Sequence, residues 1–144
     1  MNIFFSGSIR GGRDDQMLYL QIIDLLKQHG VVLTEHLGGG TLSIDGEVHL
    51  SDAEIYERDC EWIRKTDIII AEVTTTSLGV GYEIGYAEAF EKPIICLYRP
   101  TEGKRLSAML NGNVRVKVVE YQTIEELKPV FESVFKNLGN LGVS

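Results

Sequence analysis

The sequence predicts a doubly wound α/β sandwich, Rossmann-like or flavodoxin-like, whose five parallel strands run in the order 2-1-3-4-5 with helices on both faces. Three observations predict it. Five β-prone runs are separated by helix-like segments, the run Ile68-Ile69-Ile70-Ala71 is apolar at every position, and glycine-containing loops follow the first and third runs. In that strand order the sheet reverses between strands 1 and 3, where ligands of such folds bind.

Residues 2–6 hold Ile3-Phe4-Phe5 and stop at Gly7, which predicts a first strand. From Asp15 to Gln28, Leu18, Ile22, Leu25 and Leu26 recur at helical spacing, and Gly30 is a stop signal. Val31-Val32-Leu33 gives the second strand. Residues 36–50 contain Gly38-Gly39-Gly40 and Gly46 without a sustained period and predict a long loop. Ser51 with Glu54 makes a capping box for a helix carrying Ile55, Trp62 and Ile63 on one side.

Ile68 to Ala71 is the candidate central strand, and a loop from Thr74 to Leu78 follows it. Val80 to Phe90 reads as a helix, Ile94 to Tyr98 as the fourth strand, residues 106–110 as a short helix and Val114 to Glu120 as the fifth strand. Ile124, Leu127, Val130, Phe131, Val134, Phe135 and Leu138 mark a final amphipathic helix. No repeat or linker divides the chain, so residues 1–144 are expected to form one domain.

The 144 residues are 44 % apolar and 24 % charged, and carry a net charge of −7. That composition suits a globular protein with a real core, while its charge disfavours nonspecific binding to nucleic acid. Two cysteines, Cys60 and Cys96, make neither a disulfide framework nor a metal cluster. Neither a signal peptide nor an apolar stretch of membrane-spanning length is present. The expectation is a cytoplasmic protein acting on a small molecule, without membrane, nucleic acid, metal or cofactor.

The chemistry concentrates in the two loops at the reversal. Ser6-Gly7-Ser8-Ile9-Arg10-Gly11-Gly12-Arg13 combines a flexible backbone, hydroxyls and two guanidinium groups just after a strand, which suits an anion, although neither a P-loop nor G-x-G-x-x-G is present. A tight turn with solvated arginines is the plainer reading. Ser77-Leu78-Gly79-Val80-Gly81-Tyr82-Glu83 places small residues before a helix N-terminus, a second source of free amides for phosphate oxygens.

Glu83 lies about one turn inside that helix, where a carboxylate taken singly is better explained by solvation or the helix dipole. Asp59 shifts the balance, since it stands four residues after Ile55 and four before Ile63, on the apolar stripe of its helix. A carboxylate there is either paired internally or set in a pocket wall. Two carboxylates beside a crevice suit glycosidic chemistry, with Glu83 as nucleophile and Asp59 orienting it or managing protons; a retaining pair stands about 5.5 Å apart or less. His36, after the second strand, is a candidate for a base pocket. Trp62 and Tyr56 read more simply as core or interface residues.

Five segments then resemble a known family: Gly7-Ser8-Ile9-Arg10-Gly11-Gly12-Arg13, Leu33-Thr34-Glu35-His36, Ala71-Glu72-Val73-Thr74, Ser77 to Glu83, and Leu106-Ser107-Ala108-Met109. From Ile3 to about Tyr121 the chain resembles the 2'-deoxynucleoside 5'-phosphate N-hydrolases, relatives of the nucleoside 2-deoxyribosyltransferases. The resemblance implies cleavage of a nucleoside monophosphate to free base and sugar 5-phosphate. Glu83 matches the family nucleophile and Asp59 its supporting aspartate. Ser77, Gly79, Gly7, Ile9 and Arg10 match phosphate and sugar contacts. Ser107 matches a serine given to the neighbouring subunit's site, which implies a homodimer.

The chain departs from the family at Phe4, where the deoxynucleotide enzymes carry a tyrosine against the sugar. Loss of that hydroxyl relaxes the rejection of a 2'-OH, so ribonucleotides such as CMP join the candidate substrates. A transferase that passes the sugar to another base, a noncatalytic nucleotide-binding module and a structural α/β domain are the competing readings.

Overall fold

The computed structural model describes residues 1–9, 12–35, 42–43, 46–47 and 50–140. Strand β1 (Asn2–Gly7) is followed by α1 (Arg13–Leu26), β2 (Val31–Val32), β3 (Leu42–Ser43), β4 (Gly46–Glu47) and α2 (Asp52–Lys65). Then come β5 (Ile68–Glu72), α3 (Leu78–Ala89), β6 (Ile94–Tyr98), α4 (Ala108–Asn111), β7 (Val116–Glu120) and α5 (Ile124–Asn140). The main sheet has five strands in the order β2-β1-β5-β6-β7, every pairing parallel. This is the 2-1-3-4-5 order the sequence predicts.

Burial explains why the middle strands read as unbroken apolar runs. Every residue of β5 and β6 is buried, since helices cover both faces of the sheet. On one face Phe5, Ile68, Ile70 and Leu97 pack with Tyr19, Ile22, Ile23 and Leu26 of α1 and with Leu127, Phe131 and Val134 of α5. On the other, Phe4, Ile69, Ala71 and Cys96 pack with Ile63 of α2 and with Val80, Ile84 and Ala87 of α3. Each large aliphatic side chain buried in this way stabilises the fold by roughly 1.5–3 kcal/mol.

Helix starts follow their caps. Ser51 Oγ accepts the Glu54 amide at 3.1 Å while Glu54 Oε1 accepts the Ser51 amide at 3.2 Å, completing the predicted capping box of α2. Ser77 caps α3 by accepting the Val80 amide at 3.3 Å. Helix α4 begins at Ala108 rather than at residue 106, because the Ser107 hydroxyl caps it and its backbone is non-helical.

Strand β7 begins at Val116 rather than Val114. Val114 is fully exposed, and the Arg115 amide is turned onto Asn113 Oδ1 at 2.9 Å. Within the predicted 36–50 loop, Leu42–Ser43 and Gly46–Glu47 form an antiparallel pair. Two residues per strand are too few for alternation to show in a sequence. No helix among the described residues is long and apolar enough to cross a membrane.

Candidate active site

Parallel strands deliver their following loops to one edge of the sheet, so the chain leaving β1 and the chain leaving β5 meet where the strand order reverses. A cavity of about 530 Å³ opens there. Gly7, Ser8 and Ile9 line one side, and Thr76, Ser77, Leu78, Gly79 and Val80 line the other. Thr34, two residues beyond β2, closes one flank. Ile55, Arg58 and Asp59 of α2 and Glu83 of α3 supply the remaining wall.

Glu83 is reached from below by β1, where Ser6 donates its hydroxyl to Glu83 Oε1 at 3.2 Å. Burial, and after it the negative charge of Asp59, push the Glu83 carboxyl up to about 8; the Ser6 hydrogen bond and the Arg58 charge oppose the shift. Asp59 is held by Arg58, whose Nε and Nη2 both donate to Asp59 Oδ1, at 3.0 and 2.9 Å. The guanidinium also lies 4.6 Å from the centre of the Trp62 ring, a cation–π contact that fixes its plane. A smaller apolar hollow of about 200 Å³, lined by Tyr56, Cys60, Ile63 and Tyr82, shares Asp59, Gly79 and Glu83 with the main cavity.

The site thus joins two electrostatically coupled carboxylates to two loops rich in backbone donors. Residues 3–120 match the family model described as nucleoside 2-deoxyribosyltransferase. The chain belongs to that family. It is 48 % identical over 143 residues to the 5-hydroxymethyl-dUMP N-hydrolase of Esox lucius, covering 96 % of this chain and 98 % of that protein. It is also 48 % identical over 124 residues to the Homo sapiens protein of that name, covering 83 % of this chain and 71 % of the relative.

Two solved structures share the fold of this family member. One is the Clostridium botulinum CMP N-glycosidase BcmB, with a TM-score of 0.63 and 19 % identity, covering 92 % of this chain and 99 % of that one. The other is the solution structure of BlsM, with a TM-score of 0.74 and 24 % identity, covering 98 % and 93 %.

Of the residues singled out in the sequence, Glu83, Asp59, Gly7, Ser8, Ile9, Ser77 and Gly79 all line the one cavity. Gly7 is crowded where a side chain would stand: a Cβ there would lie 2.8 Å from the Tyr19 ring, so the ring or the backbone would have to shift. Asp59 combines both readings left open by its sequence position, being ion-paired and set in the cavity wall.

Phe4 requires a correction. It is 1 % exposed, belongs to the core beneath α2 and α3 and does not line the cavity. It shares a face of β1 with Ser6, which stands one pleat nearer the carboxyl edge and takes the position beside Glu83.

Ser107 does not line this cavity but caps α4, exposed on the surface. Arg10, Gly11 and His36 lie outside the described residues. Among the described residues no cluster of three or more His, Cys, Asp or Glu could hold a metal ion.

Three residues of the site have roles that the sequence does not give. Ser6 counts there only among the hydroxyls of the first loop and not as the partner of Glu83. Thr34 spends its hydroxyl on β1, accepting the Phe5 amide at 2.9 Å and donating to the Phe5 carbonyl at 2.6 Å. Arg58 is adjacent to Asp59 on a helix, where neighbouring side chains diverge; only the length of an arginine lets it fold back onto its neighbour. That contact leaves no signature in spacing.

Proposed function

We propose that this chain hydrolyses the N-glycosidic bond of nucleoside 5'-monophosphates, deoxy or ribo, to free base and sugar 5-phosphate. The observation that carries this reading is the coupled pair of Glu83 and Asp59 in the wall of a cavity bounded by two amide-rich loops. The chain's likeness over nearly its whole length to proteins named as nucleotide N-hydrolases supports it.

The phosphate is taken at the meeting of the two loops. The Val80 amide is taken by the Ser77 cap, which leaves the Leu78 and Gly79 amides at the start of α3 without an intrahelical acceptor, and the first turn of that helix carries no acidic residue to compete for them. Ser77 and Gly79, with Gly7, Ser8 and Ile9 opposite, surround the anion, and Arg10 adds charge from the first loop. A sugar anchored there presents its anomeric carbon to Glu83, about one turn further along α3.

With its carboxyl raised to about 8, Glu83 is mostly protonated at neutral pH and loses that proton to solvent before it can act. The ionised Glu83 then attacks the anomeric carbon, the bond to the base nitrogen breaks with its electron pair on the base, and Asp59 relays to the base a proton taken up from solvent. Water next attacks the glycosyl ester, gives its proton to Asp59 and releases the sugar with Glu83 restored. Arg58 keeps Asp59 oriented through both steps.

The active unit in this reading is a homodimer in which Ser107 reaches the phosphate of the neighbouring site. Exposed Leu78 at the cavity and exposed Met109 and Val114 near Ser107 are apolar surface that such a contact would cover. The reducing cytosol suits two free, buried cysteines.

The test is chromatography of free base released from deoxy- and ribonucleoside 5'-monophosphates, with the unphosphorylated nucleosides as controls. Release confined to the monophosphates is the expected result. Release that depends on an added acceptor base would make the chain a transferase, and no release with retained nucleotide binding would make it a binding module.

A further inference from the structure

The face of the sheet opposite the carboxylate pair carries a second buried polar cluster that the proposed mechanism leaves unused. Its centre is Glu72, the last residue of β5, which is 1 % exposed. The Thr74 amide donates to Glu72 Oε1 at 2.7 Å, and the Thr74 hydroxyl donates to Oε2 at 3.1 Å. The Tyr121 hydroxyl also donates to Oε2, and Arg99 Nε lies 3.4 Å from the same oxygen.

The cluster continues to the first loop. The Arg99 amide donates to Thr74 Oγ1 at 3.0 Å, Arg99 Nη2 lies 3.4 Å from Asp15 Oδ1, and Thr75 donates to Asp15 Oδ2 at 2.6 Å. Asp15 belongs to the first turn of α1, immediately after the loop that begins with Gly7 to Ile9. Thr74 and Thr75 immediately precede Thr76 and Ser77 in the cavity wall.

A buried carboxylate needs both a cation and hydrogen bonds to its remaining lone pairs to offset its lost hydration. Glu72 and Asp15 draw these from residues of the second loop, from Tyr121 and from an arginine that bridges the two carboxylates, so the cluster ties that loop to the start of α1. We propose that Glu72 and Asp15 are positioning residues that fix the height and separation of the two substrate loops. They act through Thr74 and Thr75 on Ser77 and Gly79. Neither contacts substrate, and both stand apart from Glu83.

This inference rests on the reading of the cavity as a sugar-phosphate site. Thr74 is the position to change, because replacing the buried carboxylate itself endangers the fold. Thr74→Val keeps the shape and removes one hydroxyl that both donates to Glu72 and accepts from Arg99; Thr74→Ser keeps that hydroxyl.

The experiment measures the dissociation constant of 2-deoxyribose 5-phosphate by calorimetry well below the melting temperature, beside KM, kcat and the pH profile of base release. Thr74→Val should weaken sugar-phosphate binding and raise KM by about tenfold, with a smaller change in kcat and an unmoved acid limb, since misplaced positioning groups cost rate and affinity without touching Glu83. Thr74→Ser should return both values to within about twofold of the parent protein.

Unchanged sugar-phosphate binding in a folded Thr74→Val protein, with only its melting temperature lowered, would overturn the positioning role and leave a structural one. Base release by the unaltered protein decides separately whether the site is an N-hydrolase.

Discussion

Ser6 and Glu83, 77 residues apart in sequence, meet where β1 passes beneath α3, and the Ser6 hydroxyl donates to Glu83 Oε1 at 3.2 Å. The contact opposes both the burial and the Asp59 charge that raise the Glu83 carboxyl. Ser6→Ala should therefore raise Glu83 further above its value of about 8 and move the acid limb of kcat/KM to higher pH. A hydrogen bond to a charged group contributes about 1.5 kcal/mol or more, and about 1.4 kcal/mol corresponds to one unit. At neutral pH the loss should be about tenfold, shrinking above pH 9 or so as ionisation is restored. An acid limb that stays in place while kcat/KM falls equally at every pH would show that Ser6 serves only packing.

The raised Glu83 carboxyl also sets how stability varies with pH. A carboxyl raised from 4.5 to about 8 on folding binds its proton more tightly in the native state, so its contribution is complete below pH 4.5 and is lost as the pH climbs to about 8. Glu83→Gln has no such dependence. The melting temperature of the unaltered protein should fall relative to Glu83→Gln across that window and the gap should level off above it, while Glu83→Ala and Glu83→Gln both lose base release. Parallel melting curves over pH 5 to 9 would contradict the buried, Asp59-facing environment of Glu83.

Asp59→Asn tests the same coupling from its other member. Removing the negative charge lowers the Glu83 carboxyl, so the acid limb should move to lower pH even as kcat drops by roughly 10²-fold or more with the loss of the proton carrier. Affinity for the monophosphate should change little, because the phosphate loops do not depend on Asp59. A shift of the limb to higher pH would mean that the variant had disturbed Arg58, which lowers Glu83, more than it relieved the repulsion.

How much of this was legible beforehand follows from where each contact lies. The sheet order was readable because the central strands are buried on both faces and so carry continuous apolar runs, and the loops at the reversal were readable from their glycines and serines. Asp59 stood out as a charge on an apolar stripe. Ser6, Thr34 and Arg58 did not, because their roles depend on which strand lies beneath which helix and on an arginine bending back on its neighbour. Phe4 enters the sequence reading only through the family resemblance, and a resemblance does not give the depth at which the cavity begins: Phe4 is core, and Ser6, two residues on along the same face, stands beside Glu83.

Gly7 joins the two faces of the sheet, with its backbone at the cavity and the Tyr19 ring where its side chain would be. Gly7→Ala places a methyl group 2.8 Å from that ring, and overpacking of this kind costs about 1–3 kcal/mol. The variant should melt lower and bind the monophosphate more weakly as the first loop is displaced. Adding Tyr19→Leu, which removes the obstructing ring, should recover part of the lost binding, an interaction that independent effects would not produce. Strictly additive losses in the double variant would place the defect elsewhere in the loop.

Ser107 poses a question of chain rather than of distance, since it lies outside the cavity of its own protomer and its hydroxyl already caps α4, accepting the Met109 amide at 3.2 Å. Ser107→Ala would lose that cap as well as any phosphate contact, so its effect on activity alone is ambiguous. Mixing separates the two roles. If Ser107 completes the partner's site, unfolding and refolding equal amounts of Ser107→Ala and Glu83→Ala gives heterodimers with one intact site, made from Glu83 of the first variant and Ser107 of the second. Random pairing then restores about a quarter of the unaltered protein's sites, although each variant alone is impaired or inactive. If Ser107 acts only within its own chain, no intact site can form, and the mixture should show no more than the average of its parts.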